Sequence, residues 1–418
     1  MDSLTARMKK NWLTWAIVAA MVLGIICGSL FGEAMAQIKF VGDIFFRLIQ
    51  MGIIAFIMCQ ITEAVGNLSG AELSKSGAHT IILFFISSLL ASALGIAVCY
   101  VFQPGIGFDG SSLAGDAGVT VSQDISVQDM LTEFVPSNVF MSMGEGSIIQ
   151  VIMFSIFLGG AISAWNAKTG KCRVLELVKE LNELIMIIIQ TVMKMAPLGI
   201  FAYVASTVGS NGAETLFVLI KYILVFGVAD VILMAVWYLA VSIRCKMNIV
   251  TLFKKMLPMS LMAITTTSSA VTLPLEMYDA KTKLGLSDRI ANLVLPLGMP
   301  LNSNGAAMWI SFTAIMIAQI YGVHFDFNYL VYIAVMSVFL SLANAVVPGA
   351  GIVQLAMMVP QFGLPTESIA IFAGIDWLMG SFRTVGNVDS DVFCALLVAH
   401  AEGEIDYDVF NDTKQIAE

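Results

Sequence analysis

Along this chain long apolar runs alternate with short polar breaks. The runs near 12–31, 40–62, 80–103, 148–167, 182–206 and 214–243 each hold the roughly 20 residues that a helix needs to cross a hydrocarbon layer. They predict six ordinary spans. After residue 250 the pattern changes. The segment 257–285, "LPMSLMAITTTSSAVTLPLEMYDAKTKLG", is apolar at both ends, but a polar cluster from Thr265 to Ser269 and Pro274 interrupt it. The segment 339–365 repeats the design, with Pro348, Gly349 and Gly351 at its centre. Lipid leaves broken backbone unsatisfied at several kcal/mol per group, so such segments must be buried in protein or line a cavity. Two interrupted segments in corresponding places, each followed by a longer helix (287–322 and 367–400), are the pattern of a transporter site built from inverted repeats. The expected fold is an all-α polytopic membrane protein with eight transmembrane helices and two re-entrant helical hairpins.

The span 287–322 is itself broken at 295–309, where Pro296, Gly298, Pro300 and Gly305 surround Asn302 and Asn304. Unwound carbonyls there suit a dehydrated cation. A proline kink patched by neighbouring amides is the plainer account.

Composition agrees with the pattern. Of 418 residues, 58% are apolar and only 12% charged, about half the charge of a soluble domain. Arg7, Lys9 and Lys10, then Lys75, then Lys168, Lys171 and Arg173, then Arg244, Lys246, Lys254 and Lys255 all fall on one side if every run crosses. The positive-inside rule makes that side, and the N-terminus, cytoplasmic. The loop 104–147 has no Lys or Arg and falls outside. The sequence "AMA" at 34–36 mimics a signal-peptidase site, but the preceding run is longer than a cleaved signal's apolar region, so a retained first span is expected. The net charge of −9 gives no support to nucleic-acid binding. Cys27, Cys59, Cys99, Cys172, Cys245 and Cys394 show no metal or disulfide spacing. His79, His324 and His400 are dispersed, and no nucleophile–base pattern appears, which argues against an enzyme.

The stretch 375–391, "IDWLMGSFRTVGNVDSD", is the exception to this apolarity. Arg383 is the only Lys or Arg between Arg289 and Lys414. At 3.6 residues per turn, Asp376, Gly380, Arg383, Asn387 and Asp391 share one stripe along about 22 Å of helix. A central charge costs about 2.5–3.5 kcal/mol on insertion scales, so the stripe needs partners. An internal ion pair is one account, although one Arg cannot neutralise two carboxylates at opposite ends. In the other account, Arg383 offers its planar fork to a substrate carboxylate and Asp391 supplies charge to a cation. Asp389, off the stripe, is expected at a solvated pore rim, and Glu276, just after Pro274, at a hairpin end near water.

These residues carry a resemblance. "TTTSSAVTLP" resembles the serine-rich tip of hairpin 1 of the glutamate transporter homologues, the dicarboxylate/amino acid:cation symporters. "LPLGMPLNSNG" is similar to that family's seventh-helix motif, "VVPGAG" to its hairpin 2 tip and "DWLMGSFRTVGNV" to its eighth helix. The resemblance implies a homotrimer with an elevator mechanism. Its scaffold would be 1–79 and 148–210, its transport domain 80–105 and 211–401, with an extracellular loop 106–147 and an acidic cytoplasmic tail 402–418. It implies substrate contacts at Thr267, Ser268 and Ser269 of hairpin 1, Val347 of hairpin 2, and Gly380, Arg383, Thr384 and Asn387 of the eighth helix. It implies a sodium ion at Asp391 and Asn387 with carbonyls of Gly298 and Asn302, and a second ion near Pro300 and Ser341.

The departures from the family are as informative. The family's amino-acid carriers place an Asp at the position of Gly380 to hold the substrate ammonium, and some prokaryotic members balance it with an Arg at the position of Thr267. Both charges are missing here. An α-ammonium would lose a charge-assisted partner, about 1.5–3 kcal/mol. The expected substrate is therefore a small carboxylate without that group, a C4-dicarboxylate, taken up with sodium or protons. An acidic or neutral amino acid:sodium symporter and an anion channel are the alternatives. Asn304 stands where the family has an aspartate of a third sodium site, Ser303 replaces a methionine and Ala306 a substrate-facing threonine. Ser87 and Ser88 match that site's polar pair, but without the carboxylate the third site is in doubt.

Overall fold

A computed structural model describes residues 12–68, 75–107, 132, 134–170, 172–211, 214–343, 350–373 and 375–413. Among them the only β pairing is an isolated bridge, Leu286 with Ile405. Everything else regular is helical, as a chain in lipid requires, because a helix satisfies its own backbone.

The first half runs α1 (Trp12–Phe31), a 3-10 turn (Gly32–Ile38), α2 (Lys39–Gly66), α3 (Lys75–Phe102), α4 (Val139–Glu145), α5 (Ile148–Thr169), α6 (Arg173–Met193), α7 (Ala196–Asn211) and α8 (Glu214–Cys245). By length and hydropathy, the stretches Ala19–Gly66, Gly77–Phe102, Ile148–Thr169, Phe217–Cys245 and Ile249–Thr266 are each fit to cross a membrane. Arg173–Met193 and Ala196–Ser206, bent by 49°, make a sixth if taken together. The chain is thus a multi-pass membrane protein. Large apolar side chains such as Leu30, Val101, Phe217, Val231 and Ile243 stand exposed on its outside, where lipid replaces water.

The second half runs α9 (Ile249–Thr266), α10 (Ser269–Thr282), α11 (Asp288–Leu301), α12 (Asn304–Ile320), α13 (Phe327–Leu342), α14 (Ala350–Gln361), α15 (Ser368–Ala373), α16 (Asp376–Glu402) and α17 (Tyr407–Phe410). Helix α9 starts earlier than the apolar run suggests, because Asn248 caps it, its Oδ1 accepting from the amides of Val250 and Thr251 at 3.0 and 3.1 Å. It stops at Thr267, whose φ of 49° is left-handed, and Ser268 caps the returning arm α10 by accepting from Val271 N. That polar turn makes the first hairpin. Helix α13 likewise starts at Phe327 behind the cap Asp326. The tip of the second interrupted segment, with Val347, lies outside the described residues.

Packing sorts the helices. Helix α7 lies along α1 and the 3-10 turn, and α2 along α5 and α6. Helix α3 packs instead on α12 and α13, and α8 and α9 on α16. Helix α16 is thus wrapped by α8, α9, α11 and α12, and from Arg383 to Leu396 all its residues are buried. Glycines let α12 and α16 approach closely: a Cβ on Gly386 would lie 2.7 Å from Gly305 Cα, and one on Gly305 would overlap the Arg383 carbonyl.

At the other end of hairpin 1 the tail folds back. Lys255 Nζ donates to the carbonyls of Lys283, Val409 and Phe410 at 3.0, 3.2 and 2.7 Å and pairs with Asp412 at 2.7 Å. Arg289 pairs with Glu402 and Glu404, and Ser287 donates to Glu404.

Candidate functional site

The stripe on α16 faces protein along its length. Asp376, Arg383, Asn387 and Asp391 are 3, 6, 5 and 1% exposed. Arg383 lies over the Trp309 ring, its Cζ 4.4 Å from the centroid, and its Nη1 is 3.3 Å from Asp376 Oδ1. The internal ion pair considered from sequence therefore exists, but with Asp376 alone. It is not a directed hydrogen bond, since neither Arg383 Nη1 nor Asp376 Oδ1 has a hydrogen-bond partner. A guanidinium fork has five donors, so the pair leaves capacity for another anion. Helix α14 covers it so closely that a Cβ on Gly351 would overlap Asp376 Oδ1 and Arg383 Nη1.

Gly380 and Thr267 face each other. A Cβ at 380 would lie 3.9 Å from Thr267 Cβ and 3.7 Å from Arg383 Nη2, ordinary contact distances. The two positions where the resemblance leads one to look for charge are thus neighbours beside the arginine, and both are neutral. Ser381 ties this turn of α16 to hairpin 1, donating to the Ile264 carbonyl at 3.0 Å. Thr384 donates to the Gly380 carbonyl at 2.7 Å, and Ser341 to Val338 at 2.7 Å, so both hydroxyls point their hydrogens at their own helices.

Two turns along, Asn302 Nδ2 donates to Asp391 Oδ1 at 2.9 Å. A Cβ on Gly298 would come within 2.5 Å of that carboxylate, so α11 presents bare backbone to it. Asn387 Oδ1 accepts from Ala306 N at 3.1 Å and so serves one of the orphan amides where α12 begins. Gly298, Asn302 and Asp391 are thereby brought together, with Asn387 one turn away on the stripe. The Asp391 carboxylate and the bare backbone beside it suit a hard cation such as sodium, while Asn302 turns its amide nitrogen to that carboxylate. The third-site residues also meet: Asn304 Oδ1 accepts from Ser87 at 3.2 Å and Ser88 at 2.7 Å, and Ser87 bonds Asn302 Oδ1 at 3.0 Å. That cluster is neutral throughout.

Two expectations are corrected. Asp389 is no pore-rim residue: it is 2% exposed, and Ser260 Oγ of α9 sits 2.8 and 3.0 Å from its oxygens. The cause is that hairpin 1 covers the face of α16 that the stripe leaves free. Glu276 is not near water either. It is 1% exposed, its Oε1 has no partner, and α10 packs it in against α11 and α16. Sequence reasoning missed Asp230, 6% exposed on α8, whose Oδ1 lies 3.4 Å from where a Gly386 Cβ would stand. A lone carboxylate inside the apolar run 214–243 was the available signal.

The profile of the sodium:dicarboxylate symporter family matches residues 13–401. Over 407 residues the chain is 30% identical to a proton/sodium-glutamate symport protein of Bacillus caldotenax, covering 95% of this chain and 96% of that one. It is 29% identical to a C4-dicarboxylate transport protein of Pseudomonas syringae pv. syringae, over 95% and 89% of the two chains. It is also 29% identical to a proton/glutamate-aspartate symporter of Escherichia coli, over 94% of each. The buried arginine, the buried carboxylate of Asp391 against the bare backbone of α11 and a match over nearly the whole chain lead to one statement: this chain belongs to the sodium:dicarboxylate symporter family, a family of transporters and not of enzymes.

Proposed function

We propose that the protein couples inward movement of sodium, or of sodium and protons, to uptake of a C4-dicarboxylate. The relatives' names divide between C4-dicarboxylates and glutamate, so they do not choose a substrate. The observation that carries the choice is the neutral pair Gly380 and Thr267, where a side chain at 380 would lie 3.7 Å from Arg383 Nη2, and which offers an α-ammonium no carboxylate. Arg383 holds one substrate carboxylate. The tip of hairpin 1, at Thr267, Ser268 and Ser269, meets the other, with Val347, Thr384 and Asn387 beside them. Sodium binds at Asp391 with Asn302, Gly298 and Asn387, and a second ion near Pro300 and Ser341. Asn304, held by two serines and carrying no charge, argues against a third.

Coupling follows from electrostatics. A buried dianion is costly beside a single arginine already facing Asp376, and Asp391 is costly without a cation. Each ligand lowers the other's cost, and such linkage is reciprocal. Packing of α3 with α12 and α13, away from the α1, α2, α5, α6 and α7 group, supports a transport domain moving as an elevator against a scaffold. The trimer, eight spans and cytoplasmic termini belong to the same reading. Competition of succinate, malate and fumarate against aspartate and glutamate for sodium-dependent binding tests it. Preference for the amino acids overturns the substrate; uptake into proteoliposomes indifferent to both the sodium gradient and pH overturns symport.

A further inference from the structure

Gln354 is 1% exposed, and neither its Oε1 nor its Nε2 has a hydrogen-bond partner. It sits on α14, three residues after Gly351, the position that lies against the Asp376–Arg383 pair. Residues three apart on a helix are neighbours on one face, and a glutamine is long enough to span that turn. Gln354 is therefore one turn along α14 from the residue that abuts the guanidinium, whose Nη1 is also unfilled. A methionine would fill the same volume with no unmet polar atom, so an amide here signals a ligand.

The kind of ligand follows from donors and acceptors. Arg383 Nη1 and Gln354 Nε2 are donors, and a carboxylate, which only accepts, can satisfy both. It cannot satisfy Gln354 Oε1, which needs a hydrogen donated to it. A hydroxyl on the carbon next to a carboxylate presents a donor and an acceptor side by side, matched to the two ends of one amide.

We propose that Gln354 determines specificity by reading a 2-hydroxycarboxylate end on the substrate, its Nε2 donating to the carboxylate shared with Arg383 and its Oε1 accepting from the hydroxyl. This rests on the dicarboxylate reading above and narrows it to a hydroxylated C4-dicarboxylate. The polar recognition of the substituent lies on hairpin 2, in place of the charge that position 380 does not carry.

The test compares malate with succinate, which differ by that hydroxyl, on purified wild-type protein and Gln354→Met in saturating sodium. Wild type binds malate about tenfold more tightly, the scale of one good hydrogen bond plus the penalty of leaving its partner unfilled. In Gln354→Met the preference shrinks to about twofold or less, because both ligands lose the Nε2 bond to the carboxylate and only malate also loses the Oε1 bond to its hydroxyl. The ligand-free variant unfolds at a higher temperature than wild type, because an unmet buried amide has gone. A glutamine with a merely structural role gives the reverse, a lower midpoint with the malate preference intact, and that result overturns the proposal. So does wild-type protein that binds succinate as tightly as malate, a measurement that stands even if the variant does not fold. Binding of aspartate or glutamate with neither dicarboxylate instead removes the substrate reading itself.

Discussion

Around Arg383 one buried guanidinium meets one buried carboxylate, whereas two turns further along the same helix Asp389 and Asp391 share a hydroxyl, an amide and no base. Asp230 and Glu276 join the second region, each with an oxygen that lacks a partner. Three lysines at the root of hairpin 1 are committed elsewhere: Lys255 to Asp412, Lys281 to Asp288 and Lys283 to Asp279. One half of α16 is therefore balanced in charge but short of hydrogen bonds, and the other is in excess of negative charge. The first suits an anion with several polar atoms. The second suits cations. Burying uncompensated carboxylates costs several kcal/mol each, far more than the hydrogen bonds at stake near Arg383, so the cation end governs whether the anion end can fill.

The contrast can be broken from either side. The largest effect is expected from Arg383→Ala, which abolishes anionic substrate uptake in proteoliposomes. Because it strands Asp376, it also lowers stability by about 3–5 kcal/mol, and adding Asp376→Asn restores thermal stability but not uptake. Asp391→Asn comes next, raising the sodium concentration needed for half-maximal uptake about tenfold, about 1.4 kcal/mol of lost cation binding. Unchanged sodium dependence would remove Asp391 from the cation end. Gly380→Asp sharpens the anion end: the Cβ fits at ordinary contact distance, and the new carboxylate weakens dicarboxylate binding while letting aspartate compete, an effect of about 1.5–3 kcal/mol in opposite directions. Ser260→Ala leaves buried Asp389 without its donor and destabilises the protein by about 1–3 kcal/mol in thermal unfolding, with the malate-to-succinate ratio unchanged.

The smallest effect lies at the cytoplasmic end in the proposed topology. Hydrogen bonds from Arg289 and Ser287 hold the Glu404 carboxyl below the usual range for glutamate. A depressed carboxylate contributes stability that is complete above its unfolded value and fades as pH falls through the folded one. Glu404→Gln should therefore cost about 0.2–1 kcal/mol at pH 7 and progressively less under acid conditions, read from unfolding midpoints across the pH range.

Much of this architecture was legible because breaks are written in special residues. The apolar runs match α1, α2, α3, α5 and α8, with α6 and α7 sharing one. The polar turn at Thr267 and the Asn302–Ser303 interruption stand where the sequence put them. The stripe on α16 was legible too, since periodicity fixes which residues share a face. What periodicity cannot say is whether the other face is covered. Asp389 and Glu276 were placed near water on the assumption that it was not, and hairpin 1 buries both. Gln354 gave no signal at all, because one amide in an apolar helix acquires meaning only when that helix covers Arg383 and the amide is buried without a partner.

The tail has a practical bearing. A single ammonium at Lys255 grips three carbonyls and a carboxylate drawn from residues 283, 409, 410 and 412, lacing the root of hairpin 1 to the turn that follows α17. Truncation before that turn would unlace it, so purification handles and reporter fusions belong beyond residue 413 or at the opposite terminus.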